Sequence, residues 1–586
     1  MGLESSVPSE DDSEYATDSD SSTSSRASAP AAEIQDFVRV KKEKRALATK
    51  LRAKEMEVES LHAIIRDLQQ QINAMKLTTP GNRTAATTPA PRTTTIPRPS
   101  IPAPQAAHPR PSSNNTAPSG SQTRQPTSIS RNTTSTSNNT SRQHFTEFTV
   151  DIYKRKGEAS FVGIYFLTKP IVVPVGLDLI QNILVKDFSS FHARGMYVNE
   201  VDDPLSAHMF SLDGERWKFI RTKLSPTFTS GKMKYMFPTI VAVAERFVAT
   251  LDDIVDRESE LEMNDFLGRF TTDVIGSCAF GIECNSMNNP NSAFRQYGKK
   301  FLDEPSLALI RNILITLSPD LARKLHIRAL RKDVTDFFLD TVRKTVAYRK
   351  ENDIQRNDFM DLLIQMNTDT NEDGKLTLEQ IAAQASLFFF AGFETSSSVM
   401  TFCLYELALN QNIQEKVRQE ITQIMASHNG ELTYEGMQQM TYLEMTINET
   451  LRKYPSVPFL MRSTVRDYSV PDTNMVIEKG TLLFVPVHSI HHDPEIYPNP
   501  ELFDPERMSP EQIKGRHPMS FLAFGDGPRN CIGMRFGKMQ TKIGLIALLK
   551  NYHFATCSKT PNRIIFDPKK GILTSKDGMV LDVTKI

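Results

Sequence analysis

The composition of the chain changes at residue 144, and this boundary limits where a buried core can form. Residues 1–143 are rich in Ser, Thr, Pro, Asn and charged residues, whereas apolar residues recur throughout residues 144–586. A segment with few apolar residues cannot bury enough surface to offset the conformational entropy that folding removes. We therefore expect one unusually large domain over residues 144–586. The 39% hydrophobic content of the whole chain averages this domain with a polar N-terminal region.

The N-terminal region divides into three segments of different composition. Residues 1–32 are acidic and rich in Ser, which predicts a disordered tail. In residues 33–76 apolar residues follow alternating steps of three and four, which predicts a self-associating coiled-coil helix if Lys44 and Lys54 are tolerated in its seam. A single amphipathic helix packed on another surface is the alternative. Residues 77–143 contain seven arginines among Thr, Ser, Pro and Asn, which predicts a disordered linker.

Charge, cysteine content and hydropathy exclude several classes of protein. Basic and acidic residues balance at 69 each, so no nucleic-acid partner is expected. Five cysteines without tight spacing argue against a disulfide framework or a zinc site and suit a reducing compartment. No run approaches the roughly 18–20 apolar residues of a membrane-spanning helix, and the acidic N-terminus does not follow the pattern of a signal peptide.

Periodicity predicts that the domain is mainly α-helical with a minor β-sheet region. Apolar residues at helical spacing predict helices at residues 203–225, 234–256, 261–280, 320–350, 376–409, 411–427 and 441–454. Short apolar runs bounded by turn residues predict two paired strands at residues 161–167 and 170–176, and further strands at 461–470 and 480–486.

A cysteine in a Gly-rich turn directly before a helix is the most informative feature of the domain. Cys531 follows a turn that contains Gly525 and Gly527, and a helical run begins at Met534. The N–H groups and dipole at a helix start stabilise a thiolate and lower the pKa of its thiol. The glycines allow the backbone to approach a bulky planar partner, and Arg529 could neutralise a carboxylate of that partner. A buried free cysteine in a loop is the alternative.

The stretch around Cys531 resembles the haem-binding signature of the cytochrome P450 monooxygenases. Every fixed position of that signature is matched, by Phe524, Gly527, Arg529, Cys531 and Gly533. The resemblance implies that these residues bind haem b and that the Cys531 thiolate is the axial ligand of the haem iron. It extends over about residues 144–586, is closest to the insect family 6 branch, and implies the cytochrome P450 fold preceded by a coiled-coil helix and disordered segments.

A second motif resembles the oxygen-binding motif of the family's long central helix. It runs from Ala391 to Ser396 and contains Gly392, Glu394 and Thr395. The resemblance implies that the helix opens around Gly392 to form an oxygen pocket and that Thr395 and Glu394 guide protons to it. A Thr395 hydroxyl bonded back to a carbonyl one turn earlier is the alternative.

Three more residues are implied contacts of the haem propionates. Trp217 and Arg221, at i and i+4, share one helix face, and Arg462 resembles a second propionate contact. A stacked surface pair and a surface arginine are the respective alternatives.

A Glu-x-x-Arg pair marks a structural motif of the same family. Glu449 and Arg452 lie at i and i+3, so they share one face of a helix and can form an ion pair. Arg507 resembles the residue that completes this buried triad.

Two other clusters imitate metal sites. Residues 369–374 resemble a calcium loop, but its twelfth position is Gln380, so an inter-helix turn is the better interpretation. His488, His491 and His492 lie in a Pro-rich stretch that resembles a structural His-Asp-Pro turn of the family. The metal expected is therefore the haem iron on Cys531.

The resemblance implies an oxidoreductase that inserts one atom of O2 into a lipophilic small molecule, which is a xenobiotic such as a plant allelochemical or insecticide, or an endogenous lipid. Electrons are expected from NADPH-cytochrome P450 reductase, since the chain has no convincing flavin or nicotinamide fingerprint. A basic docking face would be formed by Arg216, Lys218, Arg535 and Lys538. Walls of the substrate pocket are expected at residues 195–212, 286–312, 456–460 and 572–575. The implied location is the cytoplasmic face of the endoplasmic reticulum membrane, and the cytoplasm if no anchor is present.

Two other functions stay open at this point. One is a coiled-coil interaction protein, or an artefactual gene fusion, that carries a vestigial haem domain. The other is a haem-thiolate isomerase or dehydratase, which acts without NADPH, and against which the set of Gly392, Glu394 and Thr395 argues.

Overall fold

The computed structural model describes residues 144–166, 168–302, 308–356, 358–367 and 375–586. The acidic tail, the coiled coil with its self-association, and the linker lie outside the described residues. The residues that imitate a calcium loop, 369–374, lie outside them too.

Helices form most of the described domain, in agreement with the periodicity. In chain order they are α1 (Phe145–Lys154), α2 (Leu177–Gln181), α3 (Phe188–Phe191), α4 (Gly214–Leu224), α5 (Ser230–Val255), α6 (Met263–Ile275), α7 (Ala293–Leu302), α8 (Ala308–Leu317), α9 (Pro319–Lys324), α10 (Lys332–Glu351), α11 (Phe359–Asn367), α12 (Leu378–Leu409), α13 (Gln411–Ser427), α14 (Tyr434–Gln439), α15 (Thr441–Lys453), α16 (Val487–His491), α17 (Pro510–Lys514) and α18 (Met534–Asn551).

Two predicted helices are wrong as single elements. The stretch 320–350 is divided between α9 and α10, because His326 has a φ of 54° and cannot continue a right-handed helix. The stretch 203–225 contains a short 3₁₀ turn at Pro204–Ser206 and then α4, which begins at Gly214 with a φ of 61°. The helices predicted at 411–427 and 441–454 agree with α13 and α15 to within a residue.

The predicted pair of strands near the start of the domain is confirmed, and it belongs to a larger sheet. Strands β1 (Phe161–Phe166) and β2 (Lys169–Pro174) are antiparallel. The other strands are β3 (Glu260–Glu262), β4 (Leu460–Ser463), β5 (Tyr468–Ser469), β6 (Val476–Ile477), β7 (Leu482–Val485), β8 (Tyr552–Ala555) and β9 (Val580–Lys585). They form a four-stranded sheet β1-β2-β7-β4, a three-stranded sheet β3-β9-β8 and the pair β5-β6. The strand predicted at 461–470 is therefore divided between β4 and β5, which lie in different sheets.

The centre of the domain is the long helix α12, which is buried along most of its length. A capping box starts it, in which the Thr377 hydroxyl accepts a hydrogen bond from the Gln380 N–H and the Gln380 side chain accepts one from the Thr377 N–H. Among the described residues it is the one helix long and apolar enough to cross a membrane, and 78% of its most apolar window is buried inside the domain. A helix that is apolar on all faces is also what the core of a large domain requires.

Small residues bring neighbouring helices close to α12. A Cβ on Gly392 would lie 2.3 Å from a side-chain carbon of Ile275 on α6. A Cβ on Gly544 of α18 would lie 2.6 Å from the Met400 sulfur on α12. Helix α12 is therefore packed closely against both α6 and α18, the helix that follows the cysteine turn.

Candidate active site

The turn before α18 has a backbone that its glycines make possible. Gly525 and Gly527 have φ values of 66° and 70°, which side-chain-bearing residues rarely adopt. A Cβ on Gly527 would also lie 1.9 Å from the Leu184 carbonyl oxygen, so no larger residue fits there. The Cys531 N–H donates to the Phe524 carbonyl at 2.8 Å and closes the turn.

The Cys531 side chain is exposed although it lies deep in the domain. Burial raises the pKa of its thiol, and this effect outweighs the Gly533 N–H and the cations Arg221 and Arg194, which lower it. In the protein by itself, the net direction of the thiol pKa shift is therefore upward. The helix start acts in the expected direction, but desolvation is the larger effect.

Helix α18 holds the cysteine turn against the oxygen-motif stretch of α12. The Gln540 side-chain amide donates to the Gly392 carbonyl at 3.1 Å. On α12, Ala391 is exposed and Gly392 and Thr395 are partly exposed, although the residues around them are buried. Helix α18, which follows Cys531, therefore connects the accessible stretch of α12 to the segment that carries the cysteine.

Both of the expected proton-guiding residues have polar partners within the protein. The Thr395 hydroxyl donates to the Ala391 carbonyl at 2.6 Å, which is the back-bonded arrangement weighed as the alternative. Helix α12 is continuous through this point. Glu394 is buried, and its carboxylate forms an ion pair with the Lys570 ammonium at 3.0 Å.

Arginine side chains from three separate segments gather near the cysteine turn. Arg462 on β4 and Arg529 before Cys531 are almost fully buried, and Arg194 is partly buried. Burial and the neighbouring cation Arg529 lower the pKa of Arg462 to about 10, and burial lowers that of Arg529 to about 10. Burial, Arg462 and Arg529 lower the pKa of Arg194 well below its usual range. The lowered pKa values of these three arginines reflect an excess of positive charge in the buried region near the cysteine turn.

Asp213 supplies a single carboxylate to this arginine cluster of Arg194, Arg462 and Arg529. It accepts hydrogen bonds from the Arg529 guanidinium at 3.0 Å and from the Arg194 N–H at 2.8 Å. The Nε of Arg462 and the Nε and Nη1 of Arg529 are buried with no hydrogen-bond partner in the protein. Such buried donors are rare and call for a negatively charged acceptor.

Trp217 and Arg221 are both close to the cysteine turn, but in different roles. The Arg529 guanidinium lies over the Trp217 ring, 4.3 Å from its centroid. Arg221 donates to the Asn530 carbonyl at 2.9 Å and to the Asn530 side-chain oxygen at 2.7 Å. Arg221 therefore braces the backbone next to Cys531, and Trp217 holds Arg529 in place.

The described residues fit an iron porphyrin that carries carboxylates. An accessible cysteine sulfur supplies a soft ligand for iron. The unpartnered nitrogens of Arg462 and Arg529 supply donors for carboxylates. The glycine backbone of the turn allows close approach by a flat ring.

The Glu449–Arg452 pair is buried on α15, and Arg507 lies beside it. Arg452 donates from Nε and Nη2 to the two Glu449 oxygens, each at 2.8 Å. Both side chains have no accessible surface. The Arg507 Nε lies 3.6 Å from the Glu449 carboxylate. This group connects α15 to the segment around residues 499–507.

The histidine cluster has structural contacts. The Nε2 atom of His491 accepts a hydrogen bond from the Leu522 N–H at 2.8 Å, and its Nδ1 lies 3.2 Å from the Arg452 carbonyl. Both ring nitrogens of His491 therefore form hydrogen bonds. His488 and His492 stack with their centroids 4.1 Å apart. Burial lowers the pKa of His491 to about 3 and that of His492 to about 4.

The expected basic docking face is largely neutralised by acids of the domain. Arg216 pairs with Glu200, and Lys538 pairs with Glu444 at 2.5 Å. Lys218 lies 3.7 Å from Glu215. The fourth cation, Arg535, donates to the Phe228 carbonyl at 3.3 Å.

Comparisons with known proteins agree with this geometry. A family model described as Cytochrome P450 matches residues 132–583. The chain is 47% identical over 461 residues to the probable cytochrome P450 6a14 of Drosophila melanogaster, which covers 76% of this chain and 91% of that protein. It is 46% identical over 453 residues to cytochrome P450 6a8 of Drosophila melanogaster, covering 76% and 88%. It is 45% identical over 454 residues to cytochrome P450 6A1 of Musca domestica, covering 76% and 89%.

Proposed function

Since the chain belongs to the cytochrome P450 family, we propose that it oxidises lipophilic small molecules, including xenobiotics, with electrons from NADPH-cytochrome P450 reductase. Membership of the family makes the protein a haem monooxygenase that binds haem b. Its general requirements are O2, a lipophilic substrate and a redox partner. The observation that carries the proposal is the deep, accessible Cys531 beside buried arginine nitrogens that lack partners.

The residues of the site divide the work between holding the cofactor and handling protons. Cys531 would hold the haem iron, while Arg462 and Arg529 would hold the propionates. Haem bound through a thiolate supplies the chemistry that cleaves the O–O bond. Thr395 and Glu394 would hold and move protons on the α12 side of the site. Arg221 and Gln540 keep the cysteine turn and α12 in register through their hydrogen bonds.

The position of the expected pocket walls supports a lipophilic substrate. Each of the four segments has a residue in contact with α12. The Met209 N–H donates to the Gln384 side chain, and a Cβ on Gly298 would lie 3.0 Å from the Phe389 ring. The Ser456 hydroxyl donates to the Thr395 carbonyl at 3.5 Å, and the Leu573 carbonyl accepts from the Ser398 hydroxyl at 2.6 Å. The contacts are distributed along α12 from Gln384 to Ser398, a part of the helix that includes Thr395. Their apolar content suits a ligand that is driven from water by its own apolar surface.

A location at the cytoplasmic face of the endoplasmic reticulum membrane belongs to the same proposal. Apolar side chains at the β1–β2 turn are exposed, including Tyr165 at 76% and Phe166 at 44%. The turn is fastened to the end of α8 by Lys169, which donates to the Thr316 carbonyl at 2.6 Å. Exposed aromatic residues of this kind suit contact with the interface of a bilayer.

Replacement of the cysteine ligand tests the proposal. The protein with reductase and NADPH should convert a lipophilic probe such as an alkoxycoumarin, and its reduced carbon-monoxide complex should show the thiolate band. Cys531→Ala should lose both the turnover and the thiolate band. Cys557→Ala, which replaces a partly buried cysteine outside the cysteine turn, should keep both. Retention of the thiolate band in Cys531→Ala would refute the ligand assignment.

A second arm of the experiment separates the monooxygenase from an isomerase or dehydratase. Turnover should stop when NADPH or reductase is left out, and one product oxygen should come from labelled O2. Product formed without NADPH would contradict the proposal in favour of the isomerase.

A further inference from the structure

A hairpin near the C-terminal end of the chain lies against the middle of α12. We name residues 565–576 the C-terminal hairpin; its two sides pair at Phe566 and Ser575. The Leu573 carbonyl accepts a hydrogen bond from the Ser398 hydroxyl of α12 at 2.6 Å. This bond is one turn of helix away from Glu394, so the hairpin is held over that part of α12.

Lys570, at the tip of the C-terminal hairpin, reaches the buried carboxylate of Glu394. Its Nζ lies 3.0 Å from the Glu394 Oε1. The Lys570 side chain is 26% exposed and that of Glu394 is 7% exposed. The pair therefore extends from the protein surface to a carboxylate that follows Gly392 and precedes Thr395 in the same helix.

The backbone at the hairpin tip is also fixed from the other side. His144 caps α1, and its Nδ1 accepts the Thr146 N–H at 3.0 Å. The other ring nitrogen of a neutral histidine is then a donor. It lies 3.2 Å from the Lys570 carbonyl and donates to it. Burial lowers the pKa of His144, in agreement with a neutral ring.

Lys570 is the countercharge of Glu394 among the residues that the structure describes. Two side chains from other elements that contact this part of α12 are uncharged: Gln540 of α18 donates to the Gly392 carbonyl, and Ser456 donates to the Thr395 carbonyl. The other titratable groups of the C-terminal hairpin are Asp567, Lys569 and Lys576. His144 and Glu147, from the start of the domain, are the titratable groups next to the backbone of the hairpin at Lys570. A buried carboxylate without a cation is strongly disfavoured in its ionised form.

We propose that Lys570 is a positioning residue, whose ammonium pairs with the Glu394 carboxylate and holds it in place for proton transfer toward Thr395. The inference rests on the proposed function, in which Glu394 handles protons. In each cycle the carboxylate takes one proton from water and passes one proton toward Thr395, so its charge is restored. Lys570 keeps its own three protons throughout.

Three variants test this role. Lys570→Met removes the charge and keeps the length of the side chain, Lys570→Arg keeps the charge, and Lys569→Met removes a neighbouring exposed lysine as the matched control. Loss of an opposite charge at ion-pair distance raises the pKa of a carboxyl by about one to three pH units. In Lys570→Met the pH midpoint of coupling between NADPH and product should therefore rise by about this amount, and Lys570→Arg should restore it.

A second measurement reads Glu394 without turnover. Infrared difference spectra across a pH titration should show the C=O band of a protonated buried carboxyl persisting to higher pH in Lys570→Met than in the unchanged protein. The same band should be absent from the double variant Lys570→Met with Glu394→Gln. An unchanged band and an unchanged pH profile in Lys570→Met would overturn the role of Lys570.

The two proposals fail in different ways. If the proposed function is wrong, the unchanged protein itself gives no NADPH-dependent product. If only the present inference is wrong, the unchanged protein is active and Lys570→Met behaves like Lys569→Met at every pH. Because all variants keep Cys531, the thiolate band of each one reports whether it has folded.

Discussion

At the scale of single residues, the site depends on polar atoms whose partners come from distant parts of the chain. The sequence predicted Cys531, Arg462 and Arg529 as site residues, because each lies in a local motif. It did not predict Asp213 as a partner of Arg529, or Lys570 as a partner of Glu394. Asp213 meets Arg529, and Lys570 meets Glu394, across separations that no local spacing reveals. The tertiary fold alone brings these pairs together.

Replacement of the buried Arg462 should weaken haem retention. The stability of the haem-free protein should stay the same or increase. In Arg462→Met the repulsion with Arg529 disappears, together with one donor for the propionates. Loss of a charge-assisted hydrogen bond corresponds to roughly ten- to hundredfold weaker binding. The measurement is haem transfer to apomyoglobin, with unfolding of the haem-free protein alongside.

The control for this prediction is Arg466→Gln, an exposed arginine on the same segment that donates to Ser189 and Ser190. It should retain haem like the unchanged protein. Equal haem retention in Arg462→Met and the unchanged protein would mean that Arg462 has no part in holding the cofactor.

Loss of the Thr395 hydroxyl should separate NADPH consumption from product formation. The hydroxyl is the polar group on the accessible stretch of α12, and its bond to the Ala391 carbonyl fixes where it points. Thr395→Ala should lower product per NADPH by about tenfold or more and release hydrogen peroxide instead. Thr395→Ser keeps the hydroxyl and should keep most of the coupling. Peroxide and product are measured in the same reaction, and unchanged coupling in Thr395→Ala would remove Thr395 from proton delivery.

At the scale of elements, periodicity located most helices but not the breaks between them. Helices α13 and α15 have strong apolar stripes and clear ends, and their bounds were predicted closely. The break between α9 and α10 depends on the left-handed backbone of His326, a residue type that gives no warning in the sequence. The motif on α12 predicted an opened helix, whereas the helix is continuous and the Thr395 bond is closed.

The ion pair on α15 should be important for the stability of the domain. Arg452→Met leaves the Glu449 carboxylate buried with Arg507 at 3.6 Å as its remaining cation. Breaking a fully buried pair destabilises by about 3–5 kcal/mol. Lys332→Met, which breaks an exposed pair with Asp336, should change stability by less than about 1 kcal/mol. Urea unfolding followed by the haem spectrum compares the two, and similar midpoints would contradict a stabilising role for the buried pair.

At the scale of the whole molecule, a large enzyme domain follows a polar N-terminal region in one chain. The composition boundary at residue 144 coincides with the residue that caps α1. The fold class followed from the motif around Cys531, which is specific enough to name a family. The acidic tail, the coiled coil and the linker stay predictions from composition and periodicity.

The coiled coil predicted for residues 33–76 can be tested on its own. A fragment of residues 30–78 should sediment as a dimer or larger species at micromolar concentration, because its apolar stripe is buried only by association. Changing both Lys44 and Lys54 to Leu should tighten the association, since both residues lie in the seam. A monomeric profile for both fragments would contradict the prediction.

The pairing of strands in the four-stranded sheet sets the order in which the domain can be completed. Strand β2 near the start of the domain pairs with β7, through Ile171 and Leu482, and Gly527 packs on the Leu184 carbonyl. Contacts between residues so far apart form slowly, because a long loop must close first. During synthesis, the cysteine turn cannot take its final shape until nearly the whole domain has left the ribosome. The residues proposed to hold the haem can therefore come together only after most of the domain has been synthesised, and we expect haem insertion to be a late event.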